Sequence, residues 1–424
     1  MMVAWRGLPT DLRPVRDDSP GLGVPNEFRT REQPVDRRPK VSHSQGKSQE
    51  TWNRVPIASP SLPDFEALLP QLRAIWASGE LTNGRTVAEF ESRVASTLPE
   101  RHVVAVSSCT SGLMLALRAL DVQGEVLLPS FTFTASAHAV VWAGCTPVFV
   151  ECDADTLNVD VEDVARKITS RTGAIFAVYV SGNPPALAQL EALARKHNVK
   201  LILDAAHALG STYQGKPAGT FGDAEVFSLS PTKTITTCEG GIVSLRDAEV
   251  AHRVRIGRNY ANPGNYDCQF VGLNARMSEI HALVGLESFK MLDANVATRQ
   301  QLVRQYQQAL GRLRGIRFQQ VQAGNTSSQK DLSLRIVTRE FGSNRDAVRA
   351  ALTQAGIETR TYFAPPVHQQ TAYRPWKAAT GKLPVTEQVA SEVLNLPLFT
   401  ALTSEELRRV VGVVEACAAK PVTV

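Results

Sequence analysis

The chain has 424 residues, 43% hydrophobic and 21% charged, which reads as a soluble globular protein of two or three domains and excludes collagen-like, coiled-coil and wholly disordered classes. Forty-six Lys and Arg against 41 Asp and Glu leave a formal charge of +5 with no block of like charges in the body of the chain, so no nucleic-acid partner is expected. Six cysteines, at 109, 145, 152, 238, 268 and 417, form no CxxC pair and are too sparse for a disulfide scaffold. The expected setting is therefore a reducing cytoplasm, with no metal site. No run approaches the roughly 18 apolar residues of a membrane helix, so no membrane association is expected.

Residues 1–54 combine prolines, interleaved Arg and Asp, and SHSQGKSQE, with no apolar period long enough to bury a face. Such a segment cannot offset its ordering entropy and is expected to be a disordered N-terminal extension. From residue 55 the elements alternate at short intervals. Leu62–Ala77 has helical spacing and stops at Gly79, and Thr86–Leu98 repeats the amphipathic pattern. The strand VVAVS (103–107) precedes a helix over 111–120, EVLLP (125–129) a helix over Phe133–Ala143, and PVFVE (147–151) a helix over 160–169. AIFAVYV (174–180), a helix over 186–197, KLILD (200–204), AEVFSLS (224–230) and GGIVSL follow, and long helices cover 277–292 and 296–314. Apolar strands alternating with helices imply βαβ units and a mainly parallel sheet flanked by helices. The expected architecture is a large α/β domain over 55–295 and a smaller C-terminal α+β domain over 296–424. The latter is built from LSLRIVT, a helix over 344–355, ETRTYF and two closing helices.

Ligands of open α/β sheets bind beyond the carboxyl ends of the strands, so the residues after each strand carry the functional reading. In FSLSPTKTITTCEGG (227–241), Lys233 follows a buried strand in a stretch with few carboxylates. Burial lowers an amine's pKa and yields the neutral nucleophile that a Schiff-base lysine requires; the plainer alternative is a surface lysine in a polar loop. Ser228 could place a hydroxyl on a phosphate. In LILDAAHALGS (201–211), Asp204 ends an apolar strand, where a carboxylate needs a cation such as a protonated pyridine nitrogen, or else caps a helix. His207 is placed to meet a phenolic oxygen or to be a satisfied core histidine. In AVSSCTSGLMLAL (105–117), Thr110 and Ser111 lie where a small-residue turn opens a helix, a natural anion site, with plain helix capping by Ser and Thr as the alternative. Phe133 in LLPSFTFTASAHA (127–139) could lie on an aromatic ring or in the core, and Asn274 in VGLNARMSEIHALVGLESF (271–289) could reach a phosphate or cap its helix.

The order and spacing of SGELTNGRTVAEFE (78–91), SSCTSG, PSFTFTAS, GNPPAL (182–187), DAAHALGS, GDAEVFSLSPTKTITTCEGG (222–241), GLNARMSEIHA, PPVH and LPLF resemble the DegT/StrS-type family of pyridoxal-phosphate sugar aminotransferases, of the aspartate-aminotransferase fold type I. The resemblance covers most of the chain. It implies pyridoxal 5'-phosphate as cofactor, with Lys233 bonding it and moving protons, and Asp204 on the pyridine nitrogen. It further places His207 near the phenolic oxygen, Phe133 on the ring, and Thr110, Ser111 and Ser228 on the phosphate. Asn274 matches a residue the family contributes from a second subunit, which implies a homodimer with active sites at its interface. His368 and Tyr362 are candidates to line the acceptor pocket, with packing in the small domain as the alternative. Where many relatives have Ser-Gly-Thr this chain has Ser108-Cys109-Thr110, and Ala275 stands where an aromatic residue often follows the Asn. Relatives that carry histidine in place of the lysine are dehydratases, and Lys233 argues against that branch. The activity that the resemblance implies is transfer of an amino group from L-glutamate or glutamine to a keto-sugar, expected to be nucleotide-linked. A cyclitol or carbocycle acceptor, or a cofactor-binding regulatory protein without turnover, are the alternatives.

Overall fold

The computed structural model describes residues 54–376 and 380–418, so the expected N-terminal extension lies outside the described residues except for Arg54. The first helix, Phe65–Ser78, starts at Asp64, whose carboxylate accepts from Glu66 N at 3.2 Å, and ends at Gly79 in the left-handed conformation (φ 71°). Seven strands then form one sheet: β1 (His102–Val106), β2 (Glu125–Pro129), β3 (Thr146–Val150), β4 (Thr172–Val178), β5 (Lys200–Asp204), and, after the small hairpin of β6 (Thr212–Tyr213) and β7 (Lys216–Pro217), β8 (Ala224–Ser228) and β9 (Gly241–Leu245). Their spatial order is β1-β9-β8-β5-β4-β2-β3. β9 alone runs antiparallel to its neighbours, as β8 and β1 both pair with it in reverse, while the other pairs are parallel.

The apolar runs of these strands follow from burial on both faces. Ile202, Val226 and Phe176 point into one core with Leu113, Leu117 and Val140 from the helices that cover that side. Their chain neighbours Leu203, Phe227 and Ile175 point into the opposite core with Phe90, Leu190 and Leu286. A one-residue slip in any of these strands would exchange the two sets.

Towards the C-terminus β10 (Ile316–Phe318), β11 (Leu332–Ile336) and β12 (Val393–Leu396) make an antiparallel sheet in that order. The helices Leu292–Leu310, Arg345–Gln354 and Ser404–Ala416 contribute Tyr306, Leu352 and Val410 to its core. The large α/β unit and smaller α+β unit are thus both present. The segment ETRTYF forms no strand. It meets the sheet at the Arg360–Asn395 bridge and through Tyr362 N, which donates to Asn395 Oδ1 at 2.7 Å, and Pro365 and Pro366 beyond it cannot donate to a ladder; VLNL of β12 forms the edge. Among the described residues no helix is long and apolar enough to cross a membrane.

Candidate active site

The carboxyl ends of β1, β2, β4, β5 and β8 lie on one edge of the sheet, and β9 begins there, with Gly241 opposite both Val106 and Ser228. Beyond this edge opens a cavity of about 350 Å³. Gly241 is needed for close approach: a Cβ on it would stand 2.7 Å from Cys109 N and from the Ser108 carbonyl carbon, driving β9 off the turn after β1.

Asp204, the last residue of β5, is 5% exposed and lines the cavity. Its Oδ2 accepts from Ser136 Oγ at 2.6 Å and its Oδ1 from Ala206 N at 3.0 Å. Burial raises its pKa, and these two donors and the charge of Lys233 oppose the rise without cancelling it. Ser136 comes from the helix Thr134–Trp142 after β2 and also meets Thr132 Oγ1 at 3.0 Å. Cys109 Sγ stands 4.0 Å from Asp204 Oδ1, beside the same carboxylate.

Lys233 is carried by the turn between β8 and β9. That turn closes on itself through Leu229 N to Gly240 O (2.9 Å) and Thr237 N to Leu229 O (3.0 Å), and Asn295 of the long helix donates to Thr234 O at 2.9 Å. Burial, assisted by the Lys330 cation, pushes the Lys233 pKa down to about 8, against the pull of Asp331, Cys109 and Asp204. His207 lies beyond the end of β5. Burial first, then Lys233, holds its pKa well below the usual range, so the ring is neutral, and its buried Nδ1 has no hydrogen-bond partner.

Thr110 and Ser228 line the cavity at the start of the helix Cys109–Ala119 and the end of β8. Ser111 does not: its Oγ accepts from Ser108 N (3.2 Å) while Ser108 Oγ accepts from Ser111 N (3.1 Å), a reciprocal helix cap. Phe133 stands at the rim, 59% exposed, and Tyr362 lines the wall with Lys330 Nζ 5.9 Å from its ring centre. Asn274 is exposed, bridges Asn259 through the backbone, and lies outside this chain's cavity lining. His368 is also outside it. Its ring is clamped between Ser130 Oγ (2.6 Å from Nδ1) and Glu387 Oε1 (3.1 Å from Nε2), and it is 3% exposed.

The structure adds residues that spacing did not mark: Ser136 on Asp204, and the ion pair of Lys330 Nζ with Asp331 Oδ1 at 2.7 Å, both members lining the cavity. The signal for the pair was present, since two adjacent charges directly precede the apolar strand β11. Ser136 carried none, because small hydroxyl residues are common at helix starts.

These residues fit the cofactor that the resemblance implies. A buried carboxylate in want of a cation, an amine with its pKa pushed down to about 8, a histidine nitrogen without a partner and a helix start with free N–H groups converge on one cavity. Among the described residues no group of three or more His, Cys, Asp or Glu could hold a metal ion.

Residues 65–415 match the DegT/DnrJ/EryC1/StrS aminotransferase family. The GDP-perosamine synthase of Caulobacter vibrioides is 34% identical over 369 residues, which span 85% of this chain and 98% of that protein. The dTDP-4-amino-4,6-dideoxy-D-glucose transaminase of Escherichia coli is 30% identical over 356 residues, 83% of this chain and 95% of that protein. Among solved structures, DesI in the presence of its TDP-sugar product superposes with a TM-score of 0.82 at 37% identity, covering 86% of this chain and 93% of that one.

Proposed function

Because the chain belongs to the DegT/DnrJ/EryC1/StrS aminotransferase family, we propose that it uses pyridoxal 5'-phosphate to move an amino group from L-glutamate or glutamine to a nucleotide-linked keto-sugar. The observation that carries this reading is Lys233: an amine with its pKa pushed down to about 8, facing a cavity that also holds the buried Asp204 carboxylate. The sugar nucleotides in the names of the three relatives described above support the acceptor class.

When bound, the cofactor supplies an electron sink for the pair left on a substrate carbon that loses its proton. The chain supplies the rest. Asp204, held by Ser136 and Ala206 N, presents a fixed negative charge to a ring nitrogen and favours its protonated form. Lys233 takes and returns the proton at the reacting carbon; a pKa near 8 lets the amine act in both directions close to neutral pH. Neutral His207 offers a ring nitrogen to the phenolic oxygen, and Phe133 offers its exposed face to the ring. Thr110, Ser228 and the free N–H groups opening the helix Cys109–Ala119 receive the phosphate. Asn274, exposed and away from its own chain's cavity, serves the site of a second copy, so the working unit is a homodimer.

Two half-reactions test the reading. Protein loaded with the cofactor should release 2-oxoglutarate from L-glutamate without any acceptor, and the aminated form should then convert one of a panel of GDP-, dTDP- and UDP-linked keto-sugars. Lys233→Ala should do neither. Release of no keto acid from glutamate or glutamine by wild-type protein would leave a cofactor-binding protein without turnover.

A further inference from the structure

The segment Ser327–Asp331, which leads into β11, is pinned to the loop that carries His207 and to the turn Val180–Gly182 after β4. Ser328 Oγ donates to the carbonyl of His207 itself at 2.5 Å, Ser328 N donates to Ser211 Oγ at 2.9 Å, and Lys330 N donates to Ser181 O at 3.1 Å. Gly182 makes this possible. A Cβ there would come within 2.1 Å of Ser328 Oγ and 2.8 Å of the His207 carbonyl, and its φ of +87° is unfavourable for any other residue. Two segments distant in sequence are thus locked together at the cavity wall.

Asp331 is the side chain that this lock delivers. It is 8% exposed, and its two oxygens are divided: Oδ1 receives Lys330 Nζ at 2.7 Å, and Oδ2 faces His207 Nδ1 at 3.9 Å. That Nδ1 is buried and has no other partner, a costly condition for a polar atom, and Asp331 is the acceptor beside it. Closing the gap by about 1 Å makes a hydrogen bond. The other charges near the ring are Lys233 and Lys330, both cations, which cannot accept from it.

We infer that Asp331 is a positioning residue of the active site: it accepts from His207 Nδ1, fixes the ring as the Nδ1–H tautomer, and so presents Nε2 to the cavity as an acceptor. Lys330 holds the second oxygen and keeps the carboxylate turned this way. Asp331 touches no reacting atom on this account; it acts through the ring. The tautomer claim needs no turnover, whereas its catalytic consequence rests on the aminotransferase reading.

Histidine-selective 15N NMR of the cofactor-free and cofactor-loaded protein, with His207→Gln to identify the signal, reads the tautomer directly. The expected wild-type pattern is a protonated Nδ1 and an unprotonated Nε2. Asp331→Asn keeps the shape; Lys330 claims its oxygen, the amide NH2 then faces the ring, and His207 should switch to the Nε2–H tautomer. Glutamate turnover should fall on the order of tenfold in kcat with little change in KM, the effect of one charge-assisted hydrogen bond. An Nε2–H tautomer in wild-type protein, or a His207 signal indifferent to Asp331→Asn, overturns the inference even if transamination is intact. If the tautomer behaves as stated but glutamate yields no keto acid, the positioning claim stands and the aminotransferase reading is what fails.

Discussion

Ser136 and Asp204 meet at 2.6 Å, the hydroxyl of one donating to the carboxylate of the other, although they lie 68 residues apart, one in the helix after β2 and the other at the end of β5. The contact holds a negative charge at the cavity wall where burial alone would favour the neutral acid.

A stability test follows from the sign of that shift. Asp204 has a folded pKa above its unfolded one, so the native state binds the extra proton, and the residue's contribution to stability is lost as pH rises through the folded value. Asp204→Asn should therefore stabilise the cofactor-free protein at neutral pH, and the gain should vanish in acid, where both forms are uncharged. Thermal unfolding across a pH series checks this, and a pH-independent difference would contradict it. The same variant should lose about a hundredfold or more in kcat, because the electrostatic support of the ring nitrogen is gone.

Lys330 helps to lower the Lys233 pKa, second only to burial, while Asp331 works the other way. Lys330→Met removes the cation and leaves the anion, so the Lys233 pKa should rise from about 8 towards its ordinary 10.5. The amine then becomes neutral only at higher pH, and acetylation of Lys233 in cofactor-free protein, followed by mass spectrometry at pH 8, should slow. An unchanged pH profile of labelling would show that burial alone sets the value.

Glu279 caps a helix far from it in sequence. Its carboxylate accepts from Gly84 N at 2.8 Å, Thr86 N at 2.7 Å and Val87 N at 3.2 Å, at the start of the helix Arg85–Ala95, where Gly84 has no side chain to cap with. Glu279→Ala should cost about 3 kcal/mol, as three N–H groups lose a charged acceptor at the positive end of a helix. Glu279→Gln, which keeps one acceptor oxygen, should cost less. Chemical denaturation of the two variants tests the order, and equal losses would point to packing as the cause.

Much of the site was legible because strand ends announce themselves. Lys233, Asp204, Ser228 and Thr110 each follow an apolar run by a few residues, and the structure brings them to one cavity. Where a residue had two local explanations, spacing did not choose. Ser111 is engaged in the cap with Ser108, and His368 is clamped between Ser130 and Glu387, both outside the lining. A hydroxyl or an imidazole has the same local pattern in either role, and only the positions of its neighbours separate them.

By itself the sequence determined the succession of strands and helices, the carboxyl-end edge on which chemistry collects, and the identity of an amine and an acid there. These depend on side-chain period and on the order of residues along the chain, which are local properties. The tertiary structure alone decided that β9 enters between β1 and β8, that Ser136 reaches Asp204, that Glu279 caps a helix 195 residues before it, and that Asp331 faces His207. Those pairings come from a strand order that departs from chain order, so loops remote in sequence converge, and no periodicity within a single segment records which of them will meet.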